Sequence, residues 1–97
     1  MKHFVLIYEF VPDYLSRRAA YRAEHLELAR ASAERDELQL GGALNDEPTG
    51  LLLFKADSAA VAEAFAARDP YVAHGVVCSH RVREWVTVVG RDALTKV

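Results

Sequence analysis

Along the opening stretch "KHFVLIYEFV" apolar positions run almost without interruption, β-branched and aromatic residues dominate, and Pro12 closes the run. This composition predicts a strand over residues 2 to 11. The period then changes. From Asp13 to about Asp36 the chain is dense in Ala, Leu, Glu and Arg with no internal Pro or Gly, which predicts one long helix with Asp13 as its cap. "ELQLGGALN" predicts a second strand, in which Gly41-Gly42 marks a bulge or a close backbone approach. "DEPTG" turns the chain and "LLLFKA" predicts a third strand. Asp57 or Ser58 caps a second helix that runs through Arg68, and "VVCSHRVREWVTVVG" predicts a fourth strand. "RDALTKV" reads as a polar tail, giving one domain over residues 1–90 and an extension over 91–97.

The order βαββαβ is the ferredoxin-like α+β arrangement, a four-stranded antiparallel sheet with two helices on one face. A sheet face that meets water alternates with polar residues, yet here both faces are apolar. Phe4, Leu6, Tyr8 and Phe10 oppose Val5, Ile7 and Val11 in the first strand, and Leu51 and Leu53 oppose Leu52 and Phe54 in the third. In the fourth, Val82, Val86 and Val88 oppose Val77, Trp85 and Val89. Two helices cover one face, so a second copy packing sheet against sheet is expected, a homodimer.

Composition narrows the partners. A chain of 97 residues that is 52% hydrophobic, 27% charged and net −2 makes one domain with no global attraction to nucleic acid. The aromatic consensus with which this fold stacks RNA bases is also missing. The single cysteine, Cys78, excludes an internal disulfide framework and a four-cysteine zinc site, and it suits a reducing, cytoplasmic setting. The opening apolar run is too short and carries Glu9, so it is not read as a signal peptide, and no window approaches the roughly 20 apolar residues of a membrane span.

At 100° per residue the first helix gathers Leu15, Ala19, Leu26, Ala29 and Ala33 on one stripe, widened by Tyr14, Tyr21 and Leu28. Arg18, Arg22 and His25 fall inside that apolar arc while Glu24, Glu27 and Glu34 face away. Such residues are either boundary side chains that snorkel to water or one wall of a site. Asp69, in "FAARDPYVAHG", has a similar double reading: an acidic residue before proline starts a turn, but here it also ends the helix that shares a sheet face with the first. A carboxylate that meets an imidazole holds it in one tautomer, so His25 and Asp69 are a candidate acid/base pair. His74, Cys78 and His80 lack a well-placed further ligand, so no metal site is expected. Nucleotide-binding glycine motifs and nucleophile elbows are absent.

"MKHFVLIYEFVPDY", then "RAAYRAEHL", "LQLGGAL", "DPY" and "VREW" in this order resemble the YciI-like (YCII-related) family over residues 1 to 90. The resemblance implies a ferredoxin-like fold, a dimeric α+β barrel, no cofactor, and a His-Asp pair that falls on His25 of "RAEHL" and Asp69 of "RDPY". Some members of that family act as dehydrochlorinases on chlorinated hydroxyquinol-type aromatics, but the shared motifs do not specify a substrate. A site near Tyr8, Arg22, His25, Gly42 and Asp69 would use His25 to move a proton and Asp69 to orient it. Arg18 or Arg22 would hold an anionic oxygen, and Gly41 and Gly42 would admit the substrate to backbone. Lyase or isomerase chemistry on a small organic acid or phenol needs no more than this. The alternative is a dimeric module that binds the same small molecule without turning it over.

Overall fold

In the computed structural model, which describes residues 1–97, the apolar opening stretch forms β1 (Lys2–Phe10) and takes an inner place in the sheet. It pairs antiparallel with β3 (Thr49–Ala56) on one side and β4 (Val77–Trp85) on the other, and β2 (Leu38–Ala43) adds to the free edge of β3. The strand order β2-β3-β1-β4, with every pair antiparallel, is the ferredoxin-like α+β sheet that the element order predicts. Alternation then sorts the side chains. Phe4, Leu6 and Tyr8 lie opposite Phe54, Leu52 and Gly50, and these large side chains are buried under α3 (Ala60–Arg68), which inserts Phe65 against Phe54 at 5.3 Å between ring centroids. Each such residue stabilises the fold by about 1.5–3 kcal/mol. On the opposite face Val5, Ile7 and Leu53 are only half-buried and Leu51 is exposed, so one chain leaves that face uncovered.

The long first helix is broken into three pieces. A four-residue α1 (Tyr14–Arg17) passes into a 3₁₀ turn over Arg18–Ala20, and α2 (Arg22–Glu34) begins after Tyr21. Nothing in the local residue types demands the break. At the break Tyr21 sits at φ −119°, ψ −2°, and its ring stacks on His74 at 4.3 Å and 4° between planes, a tertiary contact that coincides with the interruption. Asp13 gives no side-chain cap; its carboxylate pairs with Arg17 at 3.4 Å. The uniform apolar stripe is therefore lost, and Leu15 is 60% exposed.

Two strand expectations also change. The irregularity of β2 falls between Leu38 and Leu40, whereas Gly41 and Gly42 pair regularly with Leu52 and Leu51. β4 stops at Trp85 instead of reaching residue 90, because the chain turns at Gly90 (φ 115°) and folds back. Thr95 N–H donates to Thr87 O at 2.9 Å and Leu94 N–H to Thr87 Oγ1 at 3.0 Å, competing with the sheet ladder. Val86, Val88 and Val89 are exposed beyond the strand as a result. Neither Asp57 nor Ser58 takes the cap position of α3, which falls on Ala59 without a side-chain cap; Ser58 Oγ accepts the Ala60 N–H at 3.3 Å and Asp57 pairs with the Met1 ammonium. No helix is long and apolar enough to cross a membrane.

Candidate active site

Small residues on two facing surfaces create the space for a site. α2 turns Ala29 and Ala33 toward Gly41 and Ala43 of β2, and between them opens a cavity of about 320 Å³. That volume is at the lower end of small-molecule sites. The two glycines are not equivalent: Gly41 pairs with buried Leu52, and a Cβ on it would sit 3.7 Å from the Leu52 side chain, on the cavity face. Gly42 pairs with exposed Leu51, so it borders the cavity through backbone while its own missing side chain would point to the opposite face, into open space.

Behind the cavity lies Asp69. The proline that follows keeps it out of helical geometry (φ −72°, ψ 122°), and Pro70 opens a further one-turn helix, α4 (Pro70–Ala73), that sequence periodicity does not reveal. Asp69 is both its cap and the centre of a side-chain network. Its Oδ1 accepts the Tyr71 backbone N–H at 3.0 Å, its Oδ2 accepts the Tyr8 hydroxyl at 2.7 Å, and His25 Nδ1 lies 2.9 Å from both oxygens. The carboxyl group is completely buried and all of its partners are donors, the arrangement a carboxylate requires. His25 thus carries its proton on Nδ1, and Nε2 has no partner within the chain. The ring, 14% exposed, lines the cavity. Tyr71 stacks on one face of it at 3.9 Å and 8°, and Phe65 meets it edge-on, so the imidazole is held in place.

Tyr8 is likewise immobilised. Burial, then the negative charge of Asp69 and the bond to it, push the phenol well above its ordinary range, so it stays protonated and serves as a donor to Asp69. Its ring, rather than a free hydroxyl, faces the cavity.

The cavity wall is basic. Arg18, Arg22 and Arg30 line it, no Asp or Glu does, and none of the three arginines makes an ion pair, unlike Arg17 with Asp13 or Arg35 with Glu37. Arg18 sits over the Tyr14 ring at 5.7 Å; Tyr14 in turn stacks on Phe10, which also borders the cavity. Burial raises the Tyr71 phenol, opposed by the charges of Arg22 and Arg18 and by the approach of the Arg22 guanidinium to its hydroxyl, which has no hydrogen-bond partner of good geometry. Arg30 and Tyr71 are the lining residues that periodicity overlooks, although Arg30 lies two helical turns beyond Arg22 and Tyr71 belongs to the same "DPY" as Asp69.

The remaining histidines and the cysteine do not assemble. His74 stacks on Tyr21, Cys78 Sγ donates to Glu9 O at 3.3 Å, and His80 meets Tyr8 edge-on. No group of three or more metal-ligating side chains is brought together.

Comparison with known proteins gives a family and a fold. The profile of the YCII-related domain matches residues 1–86. No curated protein matches the chain significantly. Among solved structures, 5-chloro-2-hydroxyhydroquinone dehydrochlorinase from Burkholderia phenoliruptrix, in complex with 2,5-dihydroxybenzoquinone, superposes with a TM-score of 0.72 at 22% identity, over 86% of this chain and 92% of that one. A protein from Agrobacterium tumefaciens superposes with a TM-score of 0.59 at 11% identity, over 96% and 97% of the two chains. At these identities the likeness is one of fold.

Proposed function

We propose that this chain, which belongs to the YCII-related domain family, is a small enzyme that moves a proton on a compact organic acid or phenol, by lyase or isomerase chemistry and without a cofactor. One observation carries the reading: His25 has Nδ1 anchored to a fully buried Asp69 while Nε2, unbonded, belongs to the wall of a cavity. That is the division of labour of a general base whose tautomer and orientation are set by a carboxylate. His25 Nε2 takes a proton from a carbon or hydroxyl next to a carbonyl, Asp69 faces the imidazolium that forms, and Arg22 or Arg18 faces the oxygen on which negative charge develops. Returning the proton elsewhere gives an isomer; losing a leaving group such as halide gives an elimination. The dehydrochlorinase among the structural neighbours supports testing hydroxylated ring compounds first. We place the activity in residues 1–90 of a cytoplasmic homodimer, with 91–97 as an extension; the uncovered apolar sheet face supports the dimer.

The test is deuterium incorporation, followed by NMR in D₂O, over a panel of phenols, aromatic acids and 2-oxo acids. At least one compound should exchange or eliminate, and His25→Asn should slow it by about 10²–10⁴-fold. A compound that binds tightly in this cavity but never exchanges, across the panel, would replace the enzyme by a binding module.

A further inference from the structure

The site holds an excess of positive charge and one polar group that acid/base chemistry does not use. Three guanidinium groups line a cavity that contains no carboxylate, in a chain whose net charge is −2. Arg22 is the first residue of α2 and Arg18 precedes it, so both stand at the positive end of a 13-residue helix, where cations are disfavoured. Neither has an acidic partner to offset this. The Tyr71 hydroxyl, on a residue only 4% exposed, is the one buried side-chain polar atom in the chain without a hydrogen bond of good geometry, and the group that approaches it is the Arg22 guanidinium. A buried hydroxyl without a partner is costly and seldom kept in a native fold. Its ring stacks on His25, so whatever satisfies it lies beside the proposed base.

We propose that Tyr71 Oη and the Arg22 guanidinium together form a donor site for the ionised oxygen of a single-ring organic anion, a carboxylate or phenolate, with Arg18 and Arg30 supplying the surrounding positive field. The apolar part of that ligand rests on Leu26, Leu38 and Leu52, which line the same cavity. The assignment rests on the functional reading above and narrows it: the substrate enters already charged, and its anionic oxygen is held next to His25. Tyr71 acts here as a ligand-binding donor.

Benzoate and benzamide have the same ring and nearly the same shape but differ in charge, and neither has an acidic carbon–hydrogen bond, so their binding is read by calorimetry without turnover. Wild type should bind benzoate at least tenfold more tightly than benzamide. Tyr71→Phe keeps the ring on His25 and removes only the hydroxyl. It should weaken benzoate about tenfold, the loss of one hydrogen bond to a charged group, while leaving benzamide affinity and the ligand-free Tm nearly unchanged. A purely structural tyrosine would instead shift the Tm without separating the two probes. Arg22→Gln, a surface change that leaves the core intact, should abolish the preference for benzoate. No benzoate binding, equal affinity for the two probes, or unchanged benzoate affinity in Tyr71→Phe overturns the assignment. Selective benzoate binding with no deuterium exchange on any compound would overturn the acid/base reading and leave this one standing.

Discussion

At the scale of the residue, Asp69 concentrates more interactions than any other side chain in the site. Its carboxylate accepts from Tyr8, His25 and the Tyr71 N–H with no exposure to water. Asp69→Asn replaces one acceptor oxygen by a donor facing donors, so at least one partner is left unbonded in the interior. We expect a loss of about 2–4 kcal/mol in urea denaturation. The His25 tautomer should change too, with the ring proton moving from Nδ1 toward Nε2, read from imidazole ¹⁵N shifts; an unchanged Nδ1–H signal in the variant would show that Asp69 does not set the tautomer. The two phenols give a pH dependence. Tyr8 and Tyr71 both lie above their ordinary value of 10.0 in the folded protein. The unfolded chain therefore loses these protons first as pH rises, and their contribution, complete below pH 10, declines above it. Stability measured against urea should fall from about pH 10 upward, and Tyr8→Phe should flatten that slope while lowering stability at neutral pH through the lost bond to Asp69.

At the scale of the element, the glycines of β2 and β3 have three different jobs. A Cβ on Gly50 would stand 2.9 Å from Phe10 Cζ, and Phe10 cannot easily yield because Tyr14 is stacked on it at 4.6 Å. Gly50→Ala should cost about 1–3 kcal/mol by overpacking. Gly41→Val places a branched side chain on the cavity face and Gly42→Val places the same group on the opposite one. The first should fold and lose benzoate binding; the second should keep it. Equal binding by both proteins would mean that ligands occupy some other surface. The break at Tyr21 belongs to this scale as well, because it places Arg18 in a 3₁₀ turn and Arg22 at the start of α2, and both still line one cavity wall.

At the scale of the whole molecule, the sheet face away from the helices is the unfinished surface. Val5, Ile7 and Leu53 are half-buried there and Leu51 exposed, so light scattering should report about twice the 10.8 kDa chain mass. Two charge insertions separate fold from assembly. Leu6→Glu strikes a completely buried position and should unfold the chain, whereas Ile7→Glu, one residue on but across the sheet, should give a folded monomer. A wild-type monomer at micromolar concentration, or an Ile7→Glu dimer, would rule out sheet-to-sheet association.

Features that depend on period and local order are legible in the residues alone. The near-continuous apolar, β-branched and aromatic runs "HFVLIYEF" and "LLLFKA" specify strands with two apolar faces, and βαββαβ order leaves the ferredoxin-like sheet as the economical topology. His25 and Asp69 stood out because a polar residue in an apolar arc and an acid before proline are both local signals. Their contact is not a local signal, since the two are 44 positions apart and only the packing of α2 against α4 brings Nδ1 to 2.9 Å from the carboxylate. The break at Tyr21, the end of β4 at Trp85 and the unpartnered Tyr71 hydroxyl share that origin. Each coincides with a contact between distant segments: a ring stacked on His74, a tail folded onto Thr87, the Tyr71 ring stacked on His25. Local propensity differs by less than about 1 kcal/mol per residue between the competing conformations, so such contacts decide the outcome.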